Sequence, residues 1–451
     1  MTTYIRKLAA DKLSIFRIDT SRHCLLYTPG YGIYLRTPDA DNLEIELLTN
    51  PFSSIEDVVN LRKYAEKAQA GYSNWLARPY CPVCLTLYLN NTCNLSCAYC
   101  YSQIGDNSNQ RVQIEEIIVG AKFVARNCVE QGKPLTVVFH GGGEPALDFG
   151  LIQTALKEVY KIAGQNHLEV FRYIATNGVM STGHAEWIAR NFDLVGLSCD
   201  GPRSIQDKQR PLRIDIPQHK NGSSSFVERT AQILRKNEVN FDIRVTITPH
   251  SVDRQPEIAH YICDTLRPRE IHAEPVYMRV RGSDPAIFPA EMAECFVSRF
   301  LEAREVSMKM GIPWYTSGTR IDEVNGPYCN YYRDVLNIIP GGWITACFKV
   351  SKLSFYKDHP LIIGWIDKHI GKITIDHNKL TSLREGFTYP LSQCETCFNR
   401  FHCTYLCPDY CVCQSNTVNK QSNEHNRFRC MVASMLAMKF IEEKAIHKEN
   451  E

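Results

Sequence analysis

The sequence lacks any apolar run long enough to cross a bilayer, so no membrane association is expected. It also lacks an excess of charge of either sign: 51 Lys and Arg face 49 Asp and Glu, a formal net charge of +2. With no basic face, nucleic acid is not expected as a partner. Internal repeats and low-complexity tracts are missing too. A content of 44% hydrophobic and 22% charged residues excludes a disordered, collagenous or coiled-coil chain. Behind Met1, Thr2, Thr3, Tyr4, Ile5, Arg6 and Lys7 there is no apolar stretch of the secretory kind. The expectation is a soluble, cytoplasmic protein whose 451 residues suffice for about three domains.

Cysteine, by contrast, is abundant and odd in number, at 19. Disulfide-dense scaffolds are short and secreted, whereas thiols in a reduced cytosol need another occupation, for which metal is the first candidate. Their distribution agrees. Cys93, Cys97 and Cys100 sit together, and a second group runs from Cys347 to Cys413, with Cys329 and Cys430 on either side.

The pattern along the chain falls into three parts. Residues 1–80 form a small α+β unit of unassigned role, with a turn-containing β segment at Leu25–Tyr34 and a helix at Ile55–Ala70. Residues 81–312 alternate strand and helix. The strand candidates are Leu85–Asn91, Leu135–Phe139, Glu169–Ala175, Leu194–Ser198, Phe241–Thr248 and Glu270–Met278. Between them run helical periodicities such as Ile114–Gln131, where Ile114, Ile117, Ile118, Ala121, Val124 and Ala125 recur at helical spacing. Six βα units in succession predict a parallel α/β sheet with helices outside it, whose chemistry lies on the loops after the strand C-termini. Residues 313–451 degrade into short strands, turns and cysteines, ending in an amphipathic helix near Met431–Lys444, as in a domain held by metal.

Three thiolates spaced C-x3-C-x2-C follow the first of these strands, at Cys93, Cys97 and Cys100. One loop can thus wrap three irons of a cubane and leave the fourth open. Zinc favours paired C-x2-C spacings and a fourth ligand, and remains the alternative. With Tyr99 before the last cysteine, the loop resembles that of the radical S-adenosylmethionine superfamily. The resemblance implies a partial (βα)6 barrel. It also implies a [4Fe-4S] cluster whose open iron chelates S-adenosyl-L-methionine, and hydrogen abstraction by a 5′-deoxyadenosyl radical. A flavodoxin or ferredoxin would be the electron donor.

Directly after the second strand, Gly141-Gly142-Gly143-Glu144-Pro145 is similar to the Gly-Gly-Glu-Pro element of that family. By resemblance Gly142, Gly143 and Glu144 contact the methionyl amino group. Ser198 then meets the methionyl carboxylate or ribose, Arg210 is a carboxylate partner, and Tyr99 belongs to the cofactor site. Asp207 and Arg210 are expected in a long loop after the fourth strand.

Downstream, Cys329-x12-Gly342-x4-Cys347, then Cys394-x2-Cys397-x5-Cys403-x3-Cys407 and finally Cys430, resemble the SPASM extension of peptide- and protein-modifying radical enzymes. Two auxiliary iron–sulfur clusters are implied. Cys329, Cys347 and Cys407 would serve the first, and Cys394, Cys397, Cys403 and Cys430 the second. Family members with a further cysteine place it where Glu323 and Val335 stand here. The first cluster therefore keeps an open iron or takes Cys411 or Cys413. Sulfatase maturases put an acidic base just after the cysteine of the G-x4-C element, where this chain has Phe348 and Lys349, which counts against that activity.

The substrate expected by resemblance is a ribosomally made peptide or a protein, carrying away a carbon–carbon, carbon–oxygen or thioether cross-link. Side-chain oxidation is one alternative. Another is epimerisation, with Cys199 or Cys295 as hydrogen donor. A zinc-rich scaffold protein is the non-enzyme alternative. Cys81-x2-Cys84 has metal-like spacing without an evident partner pair, and the 14 histidines show no ligand spacing.

Overall fold

The computed structural model describes residues 4–8, 13–20, 24–29, 33–36, 39–100, 110–213, 222–276, 288–324, 335–347, 359–388, 392–403 and 420–447. The chain folds as two compact units, one made of Met1–Pro79, Ser317–Tyr328 and Ser382–Glu451, the other of Tyr80–Thr316 and Cys329–Thr381.

In the first unit four antiparallel strands, β1 (Tyr4–Leu8), β2 (Ile15–Asp19), β3 (Cys24–Thr28) and β4 (Ile33–Arg36), are followed by helices α1 (Ala40–Thr49) and α2 (Glu56–Ala77). Helix α2 outruns its expected end at Ala70. Its buried stripe Val58, Leu61, Ala65, Ala68 and Tyr72 keeps helical spacing past Gly71, so packing outweighs one glycine. Phe16, Ile18, Leu25 and Tyr27 form a core with Ile321, Phe398 and Ile441.

The second unit is the strand–helix alternation. Strand β5 (Cys84–Leu87) leads to α3 (Ile114–Gln131) and β6 (Leu135–Phe139), then α4 (Phe149–Gln165) and β7 (Val170–Thr176). Next come α5 (Thr182–Asn191), β8 (Leu194–Ser198), α6 (Arg203–Gln209), α7 (Ser223–Lys236) and β9 (Asn240–Ile247). Helix α8 (Gln255–Tyr261), β10 (Glu270–Pro275), α9 (Ala293–Lys309) and β11 (Trp314–Tyr315) complete it. Strands β5 to β11 lie side by side in sequence order, all parallel, as the partial barrel of the sequence reading. On the far side of β5 the sheet continues through β12 (Val335–Ile339), β13 (Trp343–Thr345), β14 (Ile362–Asp367) and β15 (Lys372–Ile375). Strand β12 is parallel to β5 and the last three run antiparallel, so the sheet continues past the boundary expected after residue 312.

The two faces of this sheet differ in chemistry. A Cβ at Gly120 of α3 would lie 2.4 Å from Ile338 Cδ1 and 3.3 Å from Leu85 Cδ1, so helices cover the face with Leu85, Leu197, Ile243 and Ile271, all fully buried. Alternation puts Thr86, Tyr173, Ser198, Arg244 and His272 on the opposite face. In register there, Ser198 neighbours Arg244 and Arg244 neighbours His272. A Cβ on Gly196 would meet the Tyr173 hydroxyl at 2.0 Å, so only glycine leaves room for that ring.

His140 follows β6 at this polar face, with its imidazole beside the Tyr88 ring, centroids 6.2 Å apart. Burial, and then the Arg244 guanidinium, push its pKa down to about 4. The unfolded chain, with an ordinary imidazole near 6.5, binds the proton first. His140 therefore contributes stability above pH 6.5, and that stability is lost as pH falls toward 4. Urea denaturation at pH 7 and pH 5 is expected to differ by about 1–2 kcal/mol from this group. In His140→Asn that increment disappears, which the same titration measures.

Candidate functional site

The cysteine loop grows from the end of β5 and is clamped by the glycine loop that ends β6. Gly143 N donates to Asn90 O at 2.8 Å and Glu144 N to Thr92 O at 2.7 Å. A Cβ on Gly143 would lie 1.7 Å from Thr92 O, and one on Gly142, whose φ is +67°, 2.3 Å from Asn90 O. These glycines are thus required by backbone-to-backbone contact with the cysteine loop. Asn90 completes the clamp: its Nδ2 donates to Glu144 O at 3.1 Å and to Asp148 Oδ2 at 2.6 Å, while its Oδ1 takes Thr92 N at 3.0 Å.

On the other side the cysteine loop pairs with the segment after α6. Ser96 N donates to Pro211 O at 2.9 Å and Ala98 N to Gln209 O at 3.0 Å. The sulfur of Cys93 receives Leu95 N at 3.4 Å and Asn177 Nδ2 at 3.6 Å. Burial pushes the Cys93 thiol up to about 12 and the Cys97 thiol up to about 11, and neighbouring cysteines add to both shifts. Buried thiols whose pKa values are raised this far ionise only beside a cation. Among the described residues, no three His, Cys, Asp or Glu side chains are grouped for a single metal ion. The three cysteines of the loop fit a cluster, whose ligands attach to different irons.

Glu144 is buried, at 3% exposure. Its Oε1 accepts from Thr176 Oγ1 at 2.7 Å and Ala146 N at 3.0 Å, and its Oε2 from Asn177 N at 2.7 Å. Desolvation raises its pKa and these three donors counter it. One lone-pair site remains on Oε2 for a further donor.

Asp200, fully buried after β8, is the hub of the other wall. Oδ2 accepts from the Tyr99 hydroxyl and, at 2.8 Å, from Gln209 Nε2, while Oδ1 takes Thr246 N at 3.0 Å. Arg210 Nε lies 3.1 Å from Oδ2, and its guanidinium carbon sits 5.3 Å from the centroid of the Tyr99 ring. The structure thus brings Tyr99, Arg210 and Asp200 together. Ser198, one turn of the pleat earlier, is half-buried on the polar face. The expected long loop contains α6, and Asp207 lies on it, accepting Ser224 N at 2.8 Å at the start of α7. The sequence read as a turn because Gly201-Pro202 precedes it, but Pro202 ends in an extended conformation that opens a helix.

Of the auxiliary cysteines, Cys347 is buried just after β13, where its N donates to Thr345 Oγ1 at 3.0 Å. In the other unit Cys394 opens toward Cys397, whose N donates to Cys394 O at 3.3 Å, and Cys403 N donates to Asn399 O at 2.9 Å. Cys394 and Cys403 both border Tyr72, and Cys397 lies within electrostatic reach of Cys430 on the final helix, α10 (Lys420–His447). Cys329, Cys407, Cys411, Cys413, Phe348 and Lys349 lie outside the described residues. Cys199 is buried on the helix side of β8, beside Glu228 and Tyr261, and Cys295 on α9 bonds Asp253 at 3.3 Å. Neither stands on the polar face, which weakens both as hydrogen donors.

Spacing did not single out Asn90, Asp148 or Gln209. Their signal is position alone, since each lies within a few residues of a strand or helix end that carries a motif. Gly143→Ala is expected to push the cysteine loop off the glycine loop at a cost of about 1–3 kcal/mol. Urea denaturation and iron content after anaerobic reconstitution measure it: a lower midpoint with substoichiometric iron is the expected result.

No family model matches the chain. Over 174 residues it is 28% identical to a cysteine-type anaerobic sulfatase-maturating enzyme of Clostridium perfringens, a stretch covering 38% of this chain and 45% of that protein. Over 190 residues it is 25% identical to a serine-type anaerobic sulfatase-maturating enzyme of Bacteroides thetaiotaomicron, covering 39% and 43%. The chain thus spans less than half the length of these curated relatives. In fold it is similar to a solved structure of native anSMEcpe with bound AdoMet, at a TM-score of 0.60 and 16% identity, over 80% of this chain and 99% of that one. The chain is thus similar in part of its sequence to anaerobic sulfatase-maturating enzymes and in fold to solved anSMEcpe.

Proposed function

We propose that the protein is a radical S-adenosylmethionine enzyme that modifies a ribosomally made peptide, forming an intrapeptide cross-link. The observation that carries the reading is the clamped three-cysteine loop, set at the same strand ends as Glu144 and Asp200. When bound, a [4Fe-4S] cluster and S-adenosyl-L-methionine supply the one-electron chemistry that removes a hydrogen atom from an unactivated carbon. Cys93, Cys97 and Cys100 would hold the cluster.

The chain's own residues bind and orient. The remaining lone pair of Glu144 accepts an ammonium hydrogen, beside the backbone of Gly142 and Gly143. Ser198 offers a hydroxyl to a carboxylate or ribose, and Arg210 adds positive charge whose excess Asp200 offsets. Tyr99, fixed by Asp200, walls the same space. The second cysteine set, Cys394, Cys397, Cys403 and Cys430, and the first, Cys329, Cys347 and Cys407, are assigned to auxiliary iron–sulfur clusters. A small external electron donor, flavodoxin or ferredoxin, completes the system.

A second reading is oxidation of a protein side chain, favoured by the names of the curated relatives. A second solved structure is of native anSMEcpe with bound AdoMet and Cp18Cys peptide, and the chain resembles it at a TM-score of 0.57 and 19% identity. Phe348 after Cys347 counts against the same activity here.

Replacing Cys93, Cys97 and Cys100 together with Ala is expected to abolish 5′-deoxyadenosine formation while auxiliary iron persists. Chromatographic assay of reconstituted protein reads this, and continued cofactor cleavage would refute the cluster assignment. The reaction type is read by anaerobic co-expression with a short peptide encoded beside the gene, in deuterated water, followed by mass spectrometry. Loss of two hydrogens from the peptide is expected. An unchanged mass, with a folded protein modified instead, would support the second reading.

A further inference from the structure

Cross-linking needs a proton acceptor, and the polar face of the parallel sheet contains a candidate that the cofactor site does not use. On β10, His272 and Glu274 are two residues apart on one face, with Nε2 of His272 2.6 Å from Oε1 of Glu274. They are 2% and 8% exposed. The Tyr315 ring of β11 lies parallel to the imidazole, 4.6 Å away and tilted by 13°, and its hydroxyl donates to Glu270 Oε1 at 3.1 Å. Stacking fixes the plane of the imidazole, and the imidazole fixes the carboxylate.

Other ion pairs of this sheet tie neighbouring strands. Arg172 at β7 binds Asp193 before β8, and Arg269 before β10 binds Asp242 of β9. The His272–Glu274 pair joins two residues of one strand, and its desolvation is unfavourable. Its position is at the reactive end. Glu274 is level with Thr246 of β9, whose N–H donates to Asp200 at 3.0 Å, and Asp200 in turn holds Tyr99, the neighbour of Cys100.

We propose that Glu274, oriented by His272, accepts the proton that a substrate heteroatom loses as the cross-link forms; this rests on the cross-linking reading above. The balance is complete. The substrate carbon gives up a hydrogen atom to the adenosyl carbon of the cofactor, and the heteroatom gives up its proton to Glu274. The new carbon–heteroatom bond releases one electron to an oxidant of the iron–sulfur class. Two hydrogens leave the peptide in total. Glu274 is the group that meets the substrate, being nearer the strand end, and His272 is a positioning residue. Among the described residues, the charged and titratable groups facing the pair include Arg244 and Asp242 on β9, Tyr315 on β11 and Glu270 on β10 itself.

Glu274→Gln keeps the shape but cannot take the proton. With the peptide and reconstituted enzyme, it is expected to go on forming 5′-deoxyadenosine while the two-hydrogen loss falls about 100-fold or more. His272→Asn is expected to move the acid limb of the product-rate profile to higher pH, because its shorter side chain leaves the carboxylate without the donor that favours its charged form. His272→Gln, which restores a donor, brings it back. Histidine-selective 15N spectra of the full chain need no turnover: in Glu274→Gln, the imidazole that His272→Asn removes is expected to titrate at lower pH. Undiminished product in Glu274→Gln, or an unmoved imidazole, overturns this proposal alone. Absence of 5′-deoxyadenosine from the unmodified enzyme overturns the reaction class and this proposal with it.

Discussion

Two main-chain contacts, Gly143 N to Asn90 O and Glu144 N to Thr92 O, hold the glycine loop against the root of the cysteine loop, and the site depends on them. They continue the β5–β6 pairing beyond the strands and leave no space for a Cβ at positions 142 and 143. The loop with three cysteines and the loop with Glu144 are thereby set with the precision of a sheet. Asn90 shares its side chain among Glu144, Asp148 and Thr92, so that even the turn between them is held by hydrogen bonds.

Charge is arranged around this lock by pairing. Glu144 keeps its buried carboxylate with three donors from two segments, and Asp200 is held likewise by Tyr99, Gln209, Thr246 and Arg210. Buried carboxylates this well satisfied are oriented before any ligand arrives, so ligand binding does not have to order them. The helix-covered face of the sheet carries the apolar core, leaving the opposite face for groups such as Tyr173, Arg244 and the His272–Glu274 pair.

Much of this was legible in the residues. The periodicity of Ile114–Gln131 matched the observed helix end to end, and Leu135–Phe139 and Leu194–Ser198 matched their strands. Local spacing fixes such elements because a buried stripe or a run of β-branched residues speaks for itself. The first strand was read four residues too long, to Asn91, because Tyr88 and Leu89 are as apolar as the strand. They are buried in the approach to the cysteine loop instead. Helix α6 went unread behind Gly201-Pro202, where turn and helix-start signals coincide.

The sequence by itself determined the order of strands and helices, the cysteine spacings and the glycines before Glu144, since each is a local pattern of residue types. Only the tertiary structure decided who meets whom. It took β12 out of the cysteine-rich stretch and paired it with β5. It aimed Arg210 at Asp200 and Tyr99, and set Glu274 beside His272 on the polar face. Those choices depend on contacts between residues far apart in the chain, and on which face of a strand looks away from the helices, quantities that no short window of sequence contains.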